Sequence, residues 1–130
     1  MVHCVASIMK IRTHRELEVY KLAFTTAVEI YNLSKSFPKE ETYSLTDQIR
    51  RSSRSVCANL AEAFRKRKYS KHFVSKLSDS EAEAAETQVW LDFALEFNYI
   101  NQAQFDHLDE SCNKVIGKLV NMANQPEKWS

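Results

Sequence analysis

One glycine, Gly117, and two prolines, Pro38 and Pro126, are all that a chain of 130 residues contains of either type. Tight hairpins and phosphate-cradling loops need residues that enter positive φ without strain, and glycine supplies that freedom. Their scarcity argues against sandwiches, barrels, dinucleotide-binding sheets and P-loops together, and leaves an all-α chain. The cysteines Cys4, Cys57 and Cys112 are odd in number and lack CxxC spacing. That predicts reduced thiols in a cytoplasmic protein, not a disulfide framework or a zinc site. No apolar run approaches the roughly 18 residues of a membrane span, so no membrane association is expected. The opening MVHCVASIMKIR has no basic leader, long apolar stretch or cleavage motif and does not read as a signal peptide. Met9 competes with Met1 as the natural start. Net charge is lacking too: 18 Lys and Arg face 17 Asp and Glu, so no global field draws the chain to a polyanion.

What is present reads as one globular domain, with 44% hydrophobic and 27% charged residues in a length that can bury a core. Residues 1–12 are expected to form a flexible arm, 13–126 a four-helix bundle and 127–130 a tail. Thr13 with Glu16 has the capping-box spacing that opens a first helix. Leu17, Tyr20, Phe24, Ala27 and Tyr31 then recur at helical intervals as its candidate core stripe, and Pro38 ends it near Phe37. Ser44 is the expected cap of a second helix, with Leu45, Ile49, Val56, Leu60 and Phe64 facing inward and Ser52, Ser53 and Ala63 filling gaps. Ser70 is the expected cap of a third helix over 71–97, closed by Asn98 in a left-handed conformation. Asn101 and Gln104 open a fourth, whose stripe Phe105, Leu108, Cys112, Val115, Leu119, Met122 runs until Pro126. Short loops between four such helices predict an antiparallel up-down-up-down bundle.

Helix three has more apolar surface than one core can use. With Leu77, Ala84, Leu91 and Leu95 as its core stripe, Trp90, Phe93 and Phe97 project from nearly the opposite side. A small-bundle helix that is apolar on two faces predicts a subunit interface, so a homo-oligomer is expected. Charge is divided as sharply. Residues 50–76 hold nine Lys and Arg against one acid, Glu62, whereas residues 77–113 hold nine Asp and Glu and no Lys or Arg. Such blocks fit a nucleic-acid surface or one helix pairing with another. Arg50, Arg51, Arg54 and Arg65 cluster on the helix-two face away from its core, with Ala58 and Ala61 between them. Small residues there would let a backbone or a phosphate chain come close, and the arginine fork suits phosphate and carboxylate alike. Arg65, Lys66, Arg67, Lys68 and Lys71 at the junction of helices two and three, around Tyr69, form the candidate phosphate-binding cluster. For Arg50, Arg51 and Arg54, ion pairs between subunits remain an equal alternative.

Three stretches resemble the 23S rRNA intervening sequence protein, or S23, family of four-helix bundles: FPKEETYSLTDQIRRSSRSVCANLAEAF (37–64), SDSEAEAAETQVWLDFAL (78–95) and NYI (98–100). The family pattern, approximately F-P-x-x-E-x-Y-x-L-x-x-Q-I-R-R-x-x-x-S-x-x-x-N-x-A-E-G, is matched by Phe37, Pro38, Glu41, Tyr43, Leu45, Gln48, Ile49, Arg50, Arg51, Ser55, Asn59, Ala61 and Glu62. Ala63 and Asn98 stand where the family usually has glycine. The resemblance implies a pentameric barrel and a non-catalytic binding role. Relatives of that fold include the accessory proteins of diversity-generating retroelements, which bind a reverse transcriptase and nucleic acid. The family name records genes found inside ribosomal RNA genes and does not establish a ribosomal role.

Catalytic chemistry is not apparent. No histidine has Glu three positions before it, so the di-iron arrangement of helical bundles is absent, and no metal or cofactor is expected. Arg67 and His72 fit the R-x4-6-H spacing of HEPN ribonucleases. Roughly 0.6 such matches are expected by chance in a chain of this composition, which leaves the enzyme reading third. The first is an oligomer that binds RNA or DNA, or a nucleic-acid enzyme. The second is a purely structural oligomer whose basic and acidic faces pair with one another.

Overall fold

The computed structural model describes residues 11–130. Four helices, α1 (Glu18–Ser34), α2 (Leu45–Arg65), α3 (Ser70–Glu96) and α4 (Gln102–Asn124), are joined by short connections. Single 3-10 turns lie at His14–Glu16, Lys39–Glu41 and Pro126–Lys128, and no strand occurs among the described residues. Each helix packs on its neighbours in sequence, and α1 closes the bundle against α4. Of the arm expected over residues 1–12, only Ile11 and Arg12 fall within the described residues, and Ile11 packs on the core. Cys4 and both candidate start methionines lie outside them.

Side-chain size and spacing account for α2 and α4. All eight inward residues expected of α2 are buried, as are the expected residues of α4 except Phe105, which is half-buried. Asn98 sits at φ 62°, and the Asn101–Gln104 capping box is made in both directions. Three other caps differ from expectation. Ser70 is the first residue of α3 rather than its cap, and Tyr69 before it makes no side-chain cap hydrogen bond. Thr13 caps only the 3-10 turn, because the chain turns extended at Leu17 and α1 begins at Glu18. Ser44 caps nothing. Its hydroxyl donates to Glu41 Oε1, and that carboxylate accepts the Leu45 N–H, so Glu41 closes the start of α2.

Of the stripe expected of α1, Leu17 and Ala27 are buried, but its three aromatics are not. Val19, Ala23, Thr26, Ala27, Ile30 and Ser34 point inward, while Phe24 and Tyr31 are 52% and 47% exposed. The reason is space at the middle of the bundle. Small and hydroxylated residues meet there: Ala23, Thr26, Ser53, Ala84 and Thr87 around a small cavity. An aromatic ring from α1 would not fit between helices packed this closely. This waist separates two apolar clusters. One is built around Leu60, Phe64, Phe73, Leu77 and Leu119, the other around Ile30, Ile49, Leu91 and Leu108. Every hydroxyl of the waist is hydrogen-bonded. Thr87 donates to the Glu83 carbonyl, Ser80 donates to the Val56 carbonyl, and Ser52 and Thr87 lie 2.8 Å apart.

Candidate nucleic-acid interface and aromatic faces

The cations of α2 divide into engaged and unengaged groups. Arg50 is half-buried. Its Nε donates to Ser34 Oγ at 2.8 Å, and its guanidinium lies 4.6 Å from the Tyr31 ring centroid, so it ties α2 to the end of α1. Arg51 lies 4.0 Å from Asp47 one turn away, and Arg54 donates through Nε to the Arg50 carbonyl. Both keep most of their forks in solvent. Arg67 donates to the Phe64 carbonyl at 2.8 Å and stacks over the Phe64 ring at 3.9 Å, closing the last turn of α2. Arg65, Lys66, Lys68 and Lys71 are exposed and make no ion pair among the described residues. Tyr69 stands exposed among them, with Lys68 over its ring and the His72 ring 6.2 Å away. The lone acid of the stretch, Glu62, is held by Lys76 of α3 at 2.7 Å. That hydrogen bond, ahead of the pull of Asp79, raises the Lys76 pKa.

Sequence reading did not find the rest of this end. The antiparallel course brings Arg12, Arg15, Lys21, Lys118 and Lys128 to the end of the bundle that holds the α2–α3 turn. When the helices are divided at their midpoints, that half (11–26, 56–83, 114–130) contains twelve Lys and Arg and seven Asp and Glu. The other half (27–55, 84–113) contains five and ten. A chain near neutrality overall is therefore polar along the bundle axis. Only the topology reveals it, because the contributing residues are scattered through the sequence.

Two aromatic faces lie on the two flanks of α2. On α3, Phe93 and Phe97 are exposed and Trp90 is half-buried, its indole N–H donating to Glu86. Rings run in contact from Trp90 through Phe93, Phe97 and Tyr99 to buried Phe37, at centroid spacings of 6.2, 5.8, 5.7 and 5.5 Å. The same helix presents Asp79, Glu83 and Glu86, and burial, then Glu86 and Asp79, push the Glu83 carboxyl above its ordinary pKa. On α1, half-buried Tyr20 stacks on Phe24. Phe24, Val28 and Tyr31 are exposed, and Tyr31 lies under the Arg50 guanidinium of α2. The signal for this second face was the 3-4 spacing itself, read above as core. Ala58 is exposed and Ala61 half-buried, so small residues separate Arg54 from Arg65 on the open side of α2.

Several residues of the quoted motifs are structural. Phe37 is buried, Glu41 accepts the Tyr99 hydroxyl at 2.8 Å, and Asn59 donates to the Ser55 carbonyl. Tyr43 is 94% exposed. A family model described as 23S rRNA-intervening sequence protein matches residues 15–121. Among solved structures, a protein with unknown function from the S23 ribosomal protein family of Bacteroides thetaiotaomicron is similar at 28% identity. Its TM-score is 0.74, and the match covers 82% of this chain and 95% of that one. No curated protein matches.

Proposed function

Because the chain belongs to the 23S rRNA-intervening sequence protein family, we propose that it is a non-catalytic, cytoplasmic homo-oligomer that binds RNA or DNA through its basic end. In that role it would serve a nucleic-acid enzyme such as a reverse transcriptase, and its subunit number would be five, as the S23 resemblance implies. One observation carries the reading: Arg65, Lys66, Lys68 and Lys71 surround Tyr69 with no acid engaging them among the described residues. Lysine and arginine in that setting bind phosphates by releasing counterions, and an exposed ring can stack on a base. Parallel copies in a ring would gather all these ends on one rim. The α3 aromatics support self-association, since contiguous apolar surface of this kind marks contact sites. Arg67 already bonds and stacks on Phe64, which disfavours the ribonuclease reading.

Fluorescence anisotropy with labelled single-stranded RNA and DNA tests the proposal. Wild type should bind both, weakening steeply between about 50 and 200 mM salt. Arg65→Gln, Lys66→Gln, Lys68→Gln and Lys71→Gln together should abolish binding and leave the oligomer mass unchanged. If wild type binds neither at about 50 mM salt, the second reading replaces this one, an oligomer whose basic and acidic faces serve only each other. His72→Ala should leave binding intact; RNA cleavage that this change eliminates would establish an enzyme instead.

A further inference from the structure

We infer that copies of this chain join head to tail, the α3 face of one seating on the α1–α2 face of the next. The inference rests on the oligomeric reading above and assigns it a specific pair of surfaces. Two separate apolar faces exist on one chain, and α2 lies between them: its Arg50 side packs on α1, and its Ser52 side packs on α3. Charge decides how they pair. Beside Trp90, Phe93 and Phe97 the α3 face carries Glu86, whose carboxylate accepts the Trp90 indole N–H, with Glu83 next to it, and no Lys or Arg occurs from Leu77 to Asn113. On the α1–α2 face Lys35 and Arg50 lie over the Tyr31 ring, and Arg54, exposed one turn along α2, donates to the Arg50 carbonyl.

An isologous contact sets a patch against its own copy. Pairing α3 with α3 would oppose acids to acids, and pairing α1–α2 with itself would oppose arginines to arginines. Only the unlike pairing brings ring against ring and arginine against carboxylate. Ala58 and Ala61 supply a low strip of α2 over which a neighbouring helix can approach. A contact between unlike faces leaves each copy with one face free, and it ends only when a ring closes.

Two monomerising variants test this by mixing. Phe93→Glu/Phe97→Glu spoils only the α3 face, and Phe24→Glu/Arg54→Glu spoils only the α1–α2 face. Each alone should sediment near the 15.1 kDa chain mass, with helicity retained by circular dichroism. An equimolar mixture should form a species of twice that mass and no larger, because one intact face of each kind remains. Should Phe24→Glu unfold the chain, Val28→Glu/Arg54→Glu addresses the same face. If the Phe24 or Val28 variant still self-associates while the Phe93/Phe97 variant does not, α3 pairs with itself and the inference fails. If both variants still assemble, neither face is the contact and it fails equally. A monomeric wild type would instead overturn the oligomeric reading beneath it.

Discussion

Arg50 and Arg67 look as free in the sequence as Arg51 and Arg65 do, yet each guanidinium is fixed by a carbonyl or hydroxyl and an aromatic ring. Residue type and spacing announce a basic face; they do not announce which members bond back to their own bundle. Glu41 is a comparable case. Hydrogen bonds from Ser44, then Tyr99, with the Leu45 N–H, hold its carboxyl below the ordinary glutamate pKa. A lowered folded-state pKa contributes stability that is complete above the unfolded-state value and is lost as pH falls through the folded-state value. Glu41→Gln should therefore lower the urea midpoint at neutral pH, and the gap to wild type should close on acidification to about pH 2. At the waist, Thr87→Val should cost about 1–3 kcal/mol, because Ser52 keeps only a 3.3 Å contact to the Ile49 carbonyl. Adding Ser52→Ala should recover part of that loss. A double-mutant cycle from urea melts reads the coupling, and simple additivity would contradict the pairing.

At the scale of elements, α2 and α4 were legible because their apolar stripes coincide with the core and their flanks are polar. The end of α3 was legible for a different reason: Asn is one of the few residues that accept a left-handed conformation. Asn98→Ala should accordingly cost about 1–2 kcal/mol in a thermal or urea melt. Helix α1 was misread because it has two stripes at helical spacing, and the more aromatic one lies outside. Periodicity gives the angle between stripes and not which one faces inward; the width available at the waist settles that. Ile30→Ala should lose about 2–5 kcal/mol, whereas Phe24→Ser should change the folding stability of an isolated subunit by no more than about 0.5 kcal/mol. Equal losses would return Phe24 to the core.

Across the whole molecule, the division of charge between the two ends was half legible. The blocks at 50–76 and 77–113 are plain in the sequence, but Arg12, Arg15, Lys118 and Lys128 join the first block only through the fold. The distance between the ends gives this polarity a further property. Helix α3 has 27 residues, about 40 Å at 1.5 Å per residue. The Debye length is about 8 Å at physiological ionic strength, so a polyanion at the basic end would feel almost nothing of the carboxylates at the other. Near-neutral net charge is then no obstacle to binding. Dilute buffer changes this, since the Debye length reaches about 30 Å at 0.01 M and approaches the length of the bundle. Repulsion from the far end should then begin to offset attraction at the near one. A plot of log affinity against log salt should be straight from about 0.05 to 0.2 M and bend toward a plateau near 0.01 M. Replacing Asp92, Glu96, Asp106 and Glu110 at the acidic end with Asn or Gln should straighten that bend and leave affinity at physiological salt unchanged.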